Sequence, residues 1–197
     1  SVNAGKFCFS FAVPRDINYT QGNGLINIYA INDSRSLAVN GSCDRFLVGG
    51  TSSLASDSIG PSVFCYLNSP SFENGGNVNS TPYFVAQLRD KDGINVSGSS
   101  IGHNLELIID DDMNKTYVLN DNFQYDFGSY TSGTTYYNIP ELAPGKHRLQ
   151  FKAWDVLNNS STTWLDFEVV KNLTPTLFSV AVTKNPAQTD TQFIINH

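Results

Sequence analysis

LAPGKHRLQFKAWDVLNNSSTTWLDFEVV, residues 142–170, decides the fold class. Pro144 and Gly145 suit the second and third positions of a type II turn, because proline presets the first φ and glycine accepts the positive φ that follows. From His147 onward Leu149, Phe151 and Ala153 fall on one face while Arg148, Gln150 and Lys152 fall on the other. That period of two belongs to a strand with one face on a core. Leu165, Phe167 and Val169 alternate in the same way with Trp164, Asp166 and Glu168. The polar run from Asp155 to Ser161 separates the two series, so the stretch predicts an antiparallel hairpin with one face packed and the other wet.

Working outward from this hairpin, strands are expected near residues 62–67, 83–89, 104–109, 116–119, 134–139, 148–154 and 163–170. Seven short strands joined by polar turns match an Ig-like sandwich. Phe84, Ala86 and Leu88 are expected to face the same core as Leu105, Leu107 and Ile109. Residues 6–13 (KFCFSFAV) and 25–31 (LINIYAI) each alternate as a strand does, a third strand is expected at 45–48, and the Ser-rich run 51–60 suits a linker. Residues 174–197 offer LFSVAV and TQFIIN on either side of a turn, the opening of a further module. The fold class is therefore all-β: an Ig-like antiparallel β-sandwich flanked by strands of neighbouring β modules. The expected division is 1–58 for the end of an upstream β-rich domain, 59–172 for the sandwich, and 173–197 for a linker and a first hairpin of a truncated following module.

Composition agrees with this class. Only 15% of residues are charged, 12% are aromatic and a single Met is present, which suits an all-β extracytoplasmic protein better than a helical cytosolic enzyme. A net charge of -6 with scattered Lys and Arg argues against a nucleic-acid partner, which needs a clustered basic surface. No run approaches the roughly 20 apolar residues of a membrane span, and the start SVNAGKF has no hydrophobic leader core and reads as mid-protein. Cys8, Cys43 and Cys65 lack metal spacing, and buried or half-buried free thiols are the expectation. The N-x-S/T sequons at Asn18, Asn40, Asn95 and Asn159 carry little weight in so Asn-rich a chain.

Carboxylates supply the one metal expectation. The loop at 90–95 (DKDGIN) resembles part of a calcium loop, with oxygen ligands alternating around a glycine turn. It lacks the third loop carboxylate and the bidentate Glu of an EF-hand. A Ca²⁺ site would draw on Asp90, Asp92 and Asp110, the last from the run Asp110–Asp111–Asp112, where a solvated turn is the ordinary explanation. No other cofactor is expected. His103, His147 and His197 acquire no catalytic role, since no GxSxG elbow, HExxH helix or Cys/His signature accompanies them. No catalytic residue is assigned, and the segment is expected not to be an enzyme. Trp154 and Trp164 flank the hairpin loop on the face opposite the aliphatic one. They are the candidate partner surface, packed against protein or stacked on a sugar. A carbohydrate-binding or adhesion module of a cell-surface protein is accordingly the alternative function. The aromatic series Tyr125, Phe127, Tyr130, Tyr136 and Tyr137 is either such a surface or core.

The long runs DKDGINVSGSSIGHNLELIIDDD and YVLNDNFQYDFGSYTSGTTYYNIPELAPGKHRLQFKAWDVLNNSS resemble the region after the peptidase domain in the gingipain-like (C25 family) sortases of the type IX secretion system of Bacteroidetes. FSFAVPRDINYTQGNGLINIYA, FLVGGT and LFSVAVTKNPAQTDTQF are similar to the same family. The resemblance implies a noncatalytic scaffold or interaction region at the outer-membrane-associated cell surface. The parent would be a cysteine endopeptidase that removes C-terminal sorting signals. Its implied partners are its own upstream peptidase domain and type IX components or secreted cargo. The family's Cys/His dyad lies in that peptidase domain and matches nothing here. Where the family has GlyHisAsp, this chain has Gly102, His103 and Asn104, which weakens any proton-transfer or metal role for His103.

Overall fold

The computed structural model describes residues 6–15, 22–32, 34–49, 57–98, 102–171, 173, 179–182 and 192–196. In chain order, β1 (Ile26–Ile31) and β2 (Ala38–Cys43) form an antiparallel hairpin. Nine strands then build the sandwich: β3 (Ser62–Leu67), β4 (Asn77–Val78), β5 (Tyr83–Arg89), β6 (Glu106–Ile109), β7 (Asp112–Val118), β8 (Phe123–Tyr125), β9 (Ser132–Asn138), β10 (Gly145–Trp154) and β11 (Ser160–Val169). A last hairpin pairs β12 (Ser179–Val182) with β13 (Phe193–Asn196).

One sheet runs β3-β5-β9-β8 and the other β4-β11-β10-β6-β7. With β3, β5, β8 and β9 taken as A, B, D and E, and β6, β10 and β11 as C, F and G, this is the ABED and CFG arrangement of Ig-like sandwiches, with β7 extending the second sheet. The two-residue β4 pairs parallel to β11, Glu168 opposite Asn77 and Val169 opposite Val78. The chain thus leaves the first sheet after β3 and covers the β11 edge of the second, which blunts an edge that would otherwise seek pairing.

The hairpin of residues 142–170 forms as expected, in a register from Gly145 opposite Val169 to Trp154 opposite Ser160. Gly145 adopts a φ of +135°, in the half of backbone space that glycine alone enters cheaply. Leu149, Phe151, Ala153, Leu165, Phe167 and Val169 all point into the core and meet Phe84, Ala86, Leu88, Leu105, Leu107 and Ile109. Phe84 and Phe151 meet across the sheets with ring centroids 5.2 Å apart and a tilt of 53°. Each such ring contributes about 1.5–3 kcal/mol through burial.

The expected strand at 45–48 is not formed: the partner of β1 is β2, AVNGSC, whose positions are all exposed. Without an apolar series it leaves no alternation to read. Residues 7–14 are not part of a sheet ladder among the described residues either, although Phe7, Phe9 and Phe11 share a side with successive ring centroids 6.1 and 6.0 Å apart. All three cysteines are free; Cys65 is buried, but Cys8 and Cys43 are exposed rather than packed.

Candidate interaction surface

Alternation along β10 and β11 fixes what the outer face of the five-stranded sheet presents. While Leu149, Phe151 and Leu165 turn inward, Arg148, Gln150, Lys152 and Trp154 turn outward beside Thr162, Trp164 and Asp166. Trp164 sits opposite Gln150 and is 53% exposed. Trp154 is half-buried. His103 covers its ring at 4.3 Å between centroids and Lys152 places its Nζ 4.4 Å from the ring centre, a cation–π distance. The Trp154 Nε1–H is buried with no acceptor among the described residues, a cost of about 1–3 kcal/mol. Trp154 lies four positions along β10 from Gln150, the partner of Trp164, or about 13 Å of strand. The two indoles share a face but not a platform.

The sheet's two ends are held by carboxylates. At the end where β10 stops, Asp155 is fully buried. Its Oδ1 accepts from the Leu157 and Asn159 N–H groups at 2.9 and 2.7 Å, and its Oδ2 from Asn159 Nδ2 at 2.7 Å. Beside it, Asp90 Oδ1 accepts from the Asp92 and Gly93 N–H groups at 2.8 and 3.2 Å. The Val156 N–H donates to Gly93 O at 3.0 Å, locking the two loops together. Burial raises the Asp90 pKa above the ordinary carboxylate value, with Asp155 and Asp92 nearby adding to the rise and the two backbone N–H bonds opposing it. Lys91 Nζ bridges Asp57 and Asp92, 2.6 Å from each.

At the opposite end, Asp110 and Asp111 take φ of 58° and 54° in the tight turn from β6 to β7, the double positive φ of a type I′ hairpin. Asp110 Oδ2 lies 2.8 Å from His147 Nδ1 and 3.4 Å from Lys115 Nζ, and its Oδ1 accepts from the Arg148 N–H at 3.1 Å. His147 Nε2 lies 2.7 Å from the Ala143 carbonyl, so each ring nitrogen meets an acceptor. Burial pushes the Asp110 pKa up, but the bonds from His147, Arg148 and Lys115 outweigh it and the carboxyl ends below its ordinary value. Arg148 also grips Asp166 with two bonds, at 2.7 and 3.2 Å.

Asp90 and Asp92 lie at the Asp155 end and Asp110 beside Arg148, and Arg148 and Asp155 are seven positions apart, about 23 Å of extended chain. The three are not brought together, and no group of three or more His, Cys, Asp or Glu among the described residues has the proximity to hold a metal ion. The DKDG loop is a turn closed by backbone donors, and Asp92 is spent on Lys91. The organising residue of this end, the buried Asp155, is not among the site residues expected from the sequence. Its signal is the spacing of Asp155 to Asn159, which lets one carboxylate reach the backbone two and four residues on.

No known family profile matches the chain, and no curated protein matches it in sequence. Among solved structures, the crystal structure of dimeric latent PorU from Porphyromonas gingivalis is 34% identical over 95% of this chain, with a TM-score of 0.60. The chain is similar to a region of PorU. The chain spans 18% of the length of that PorU chain. An endo-beta-1,4-mannanase from Thermotoga petrophila is also similar, at 12% identity over 56% of this chain and 20% of the mannanase, with a TM-score of 0.37. Among the described residues, no helix is long and apolar enough to cross a membrane.

Proposed function

We propose that the chain is a noncatalytic Ig-like scaffold and interaction region of a PorU-like type IX secretion sortase. In this reading the parent is a C25-type cysteine endopeptidase at the cell surface that removes C-terminal sorting signals from secreted proteins, and the sandwich holds the peptidase domain or its cargo in position. The observation that carries it is 34% identity to PorU over 95% of the chain.

The chemistry of the described residues supports a structural role. Burial pushes the Cys65 thiol up to about 11, which keeps it protonated at neutral pH and poorly nucleophilic. His147 is engaged by Asp110 and by the Ala143 carbonyl, contacts that tie two turns together. The test has two arms. Replacing residues 60–170 of the parent by a flexible linker is expected to abolish processing of a secreted reporter cargo, and the 197-residue chain alone is expected to leave a peptide bearing a sorting signal uncut. Undiminished processing after the replacement, or cleavage by the chain alone, sinks the proposal.

A further inference from the structure

Among the described residues, two passes of the chain ahead of β3 are fastened at the Asp155 end of the sandwich. In the first, the Arg15 N–H donates to Val156 O at 2.8 Å, and Ala12 packs on Gly93, where an added Cβ would lie 3.2 Å from the Ala12 Cβ. In the second, Asp57 Oδ1 accepts from the Ser58 and Ile59 N–H groups at 2.7 and 3.1 Å, and its Oδ2 meets Lys91 Nζ at 2.6 Å. Gly60 then lies so close to the Ser160 carbonyl that no Cβ would fit. The Ser-rich composition of 51–60 predicts a linker, yet residues 57–60 are tied to the loop after β5 and to the start of β11.

The two passes are held by different forces. The first rests on a backbone bond, which carries no formal charge. The second depends on Lys91, whose Nζ is 2.6 Å from Asp57 Oδ2 and 2.6 Å from Asp92 Oδ2, so those two oxygens lie within about 5 Å of each other. A single exposed ion pair contributes little, because water competes for each charge. Here one ammonium serves two carboxylates, and the Asp57 side chain is only 10% exposed. Removing the ammonium leaves Asp57 and Asp92 to repel each other at short range, so the charge at position 91 decides whether residues 57–60 stay down. Lys91 itself is 66% exposed, within reach of screening by salt. We infer that Lys91 is an electrostatic latch that fastens the chain entering β3 to the loop after β5, fixes the direction in which the residues before Asp57 are carried, and opens at high salt.

Double electron–electron resonance on the full 197-residue chain tests this. One nitroxide is placed on the exposed Cys43 and the other on Glu73→Cys, in the exposed loop between β3 and β4, with Cys8→Ser to prevent a third label; Cys65 is buried. Lys91→Glu is expected to broaden and displace the distance distribution, while Lys91→Arg, which keeps the charge, leaves it as in the parent. Salt at about 1 M, where the Debye length is about 3 Å, should move the parent toward the Lys91→Glu distribution. Asp57→Asn retains an oxygen for the Ser58 and Ile59 N–H groups but loses the charge, so in that background Lys91→Glu should add little. Thermal melts confirm that the sandwich is intact in each variant. The inference is overturned if folded Lys91→Glu, or the parent at high salt, keeps the parent's distribution. It is equally overturned if Lys91→Arg broadens it as Lys91→Glu does, or if Lys91→Glu acts as strongly with Asn at position 57, since the charge then does not work through Asp57.

Discussion

The two ends of the sandwich use the same functional group in opposite ways. At the Asp155 end the carboxylates are buried and spend their oxygens on backbone N–H groups. At the Asp110 end the carboxylate is partly exposed and meets the side chains of His147 and Lys115 as well as one backbone N–H. A carboxylate facing main chain dictates the path of a loop; one facing basic side chains ties separate elements together. The first end is also the one touched by the N-terminal segment, where the Arg15 N–H donates to Val156 O at 2.8 Å.

The largest effect should follow from Asp155→Ala. Three donors, the Leu157 and Asn159 N–H groups and Asn159 Nδ2, lose their acceptor beneath a fully buried site. With each stranded buried donor costing about 1–3 kcal/mol and some relief from loop relaxation, urea unfolding should register a loss of about 3 kcal/mol. A loss below about 1 kcal/mol would mean that the chain holds this loop without the carboxylate. Next comes Gly93→Ala in the neighbouring loop. Gly93 has a φ of +124°, and an added Cβ would lie 3.0 Å from Tyr130 Cδ2 and 3.2 Å from the Ala12 Cβ. Strain of this kind costs about 2 kcal/mol, and an unchanged unfolding midpoint would show that the loop shifts freely.

How much of this was legible beforehand follows from what each element is made of. β3, β5, β6, β10 and β11 are legible because each carries an apolar series on one face, and β9 because Thr and Tyr favour strands. β4 is two residues long and β8 three, too short for any period to show, and β2 has no buried position at all. β7 begins at Asp112, four residues before its readable part, because the register shifts between Ile108 and Ile109 and loops the intervening residues out of the pattern. Of the candidate site, the outward placement of Trp154 and Trp164 was readable from alternation. The separation of Asp90 from Asp110 was not, since it depends on which strand each loop follows and on the direction of that strand.

Titration sharpens the contrast between the ends. The Asp110 pKa is depressed in the fold, so its ion pair adds stability above the ordinary carboxylate range, and that stability is lost as pH falls through the folded value. Asp110→Asn should therefore cost about 1 kcal/mol at pH 7 and progressively less in acid. The Asp90 pKa is raised, so ionising it opposes folding; the penalty is absent below the ordinary range and complete above the raised value. Asp90→Asn keeps an oxygen for the Asp92 and Gly93 N–H groups. It should raise the melting temperature at pH 7, with the gain shrinking as pH falls. Parallel melts of the two variants between pH 3 and pH 7 should diverge with rising pH, and curves that move together would show that both carboxylates act through shape alone.

The smallest effect belongs to the contact that looks strongest on distance alone. Arg148 and Asp166 form a two-pronged pair at 2.7 and 3.2 Å, and Arg148 holds the Asp166 pKa below its ordinary value. Both side chains are about half exposed, at 55% and 47%, so water competes for each charge and ordering two long side chains offsets much of the attraction. Arg148→Ala leaves the Arg148 N–H bond to Asp110 intact, because that bond comes from the backbone. The melting temperature of Arg148→Ala should therefore stay within error of the parent, and added salt should move both alike, since screening acts on a pair that contributes little. A fall comparable to that of Asp110→Asn would mean that this end of the sandwich is held by the Arg148 side chain and not by the Asp110 turn, reversing the assignment made from the backbone bond.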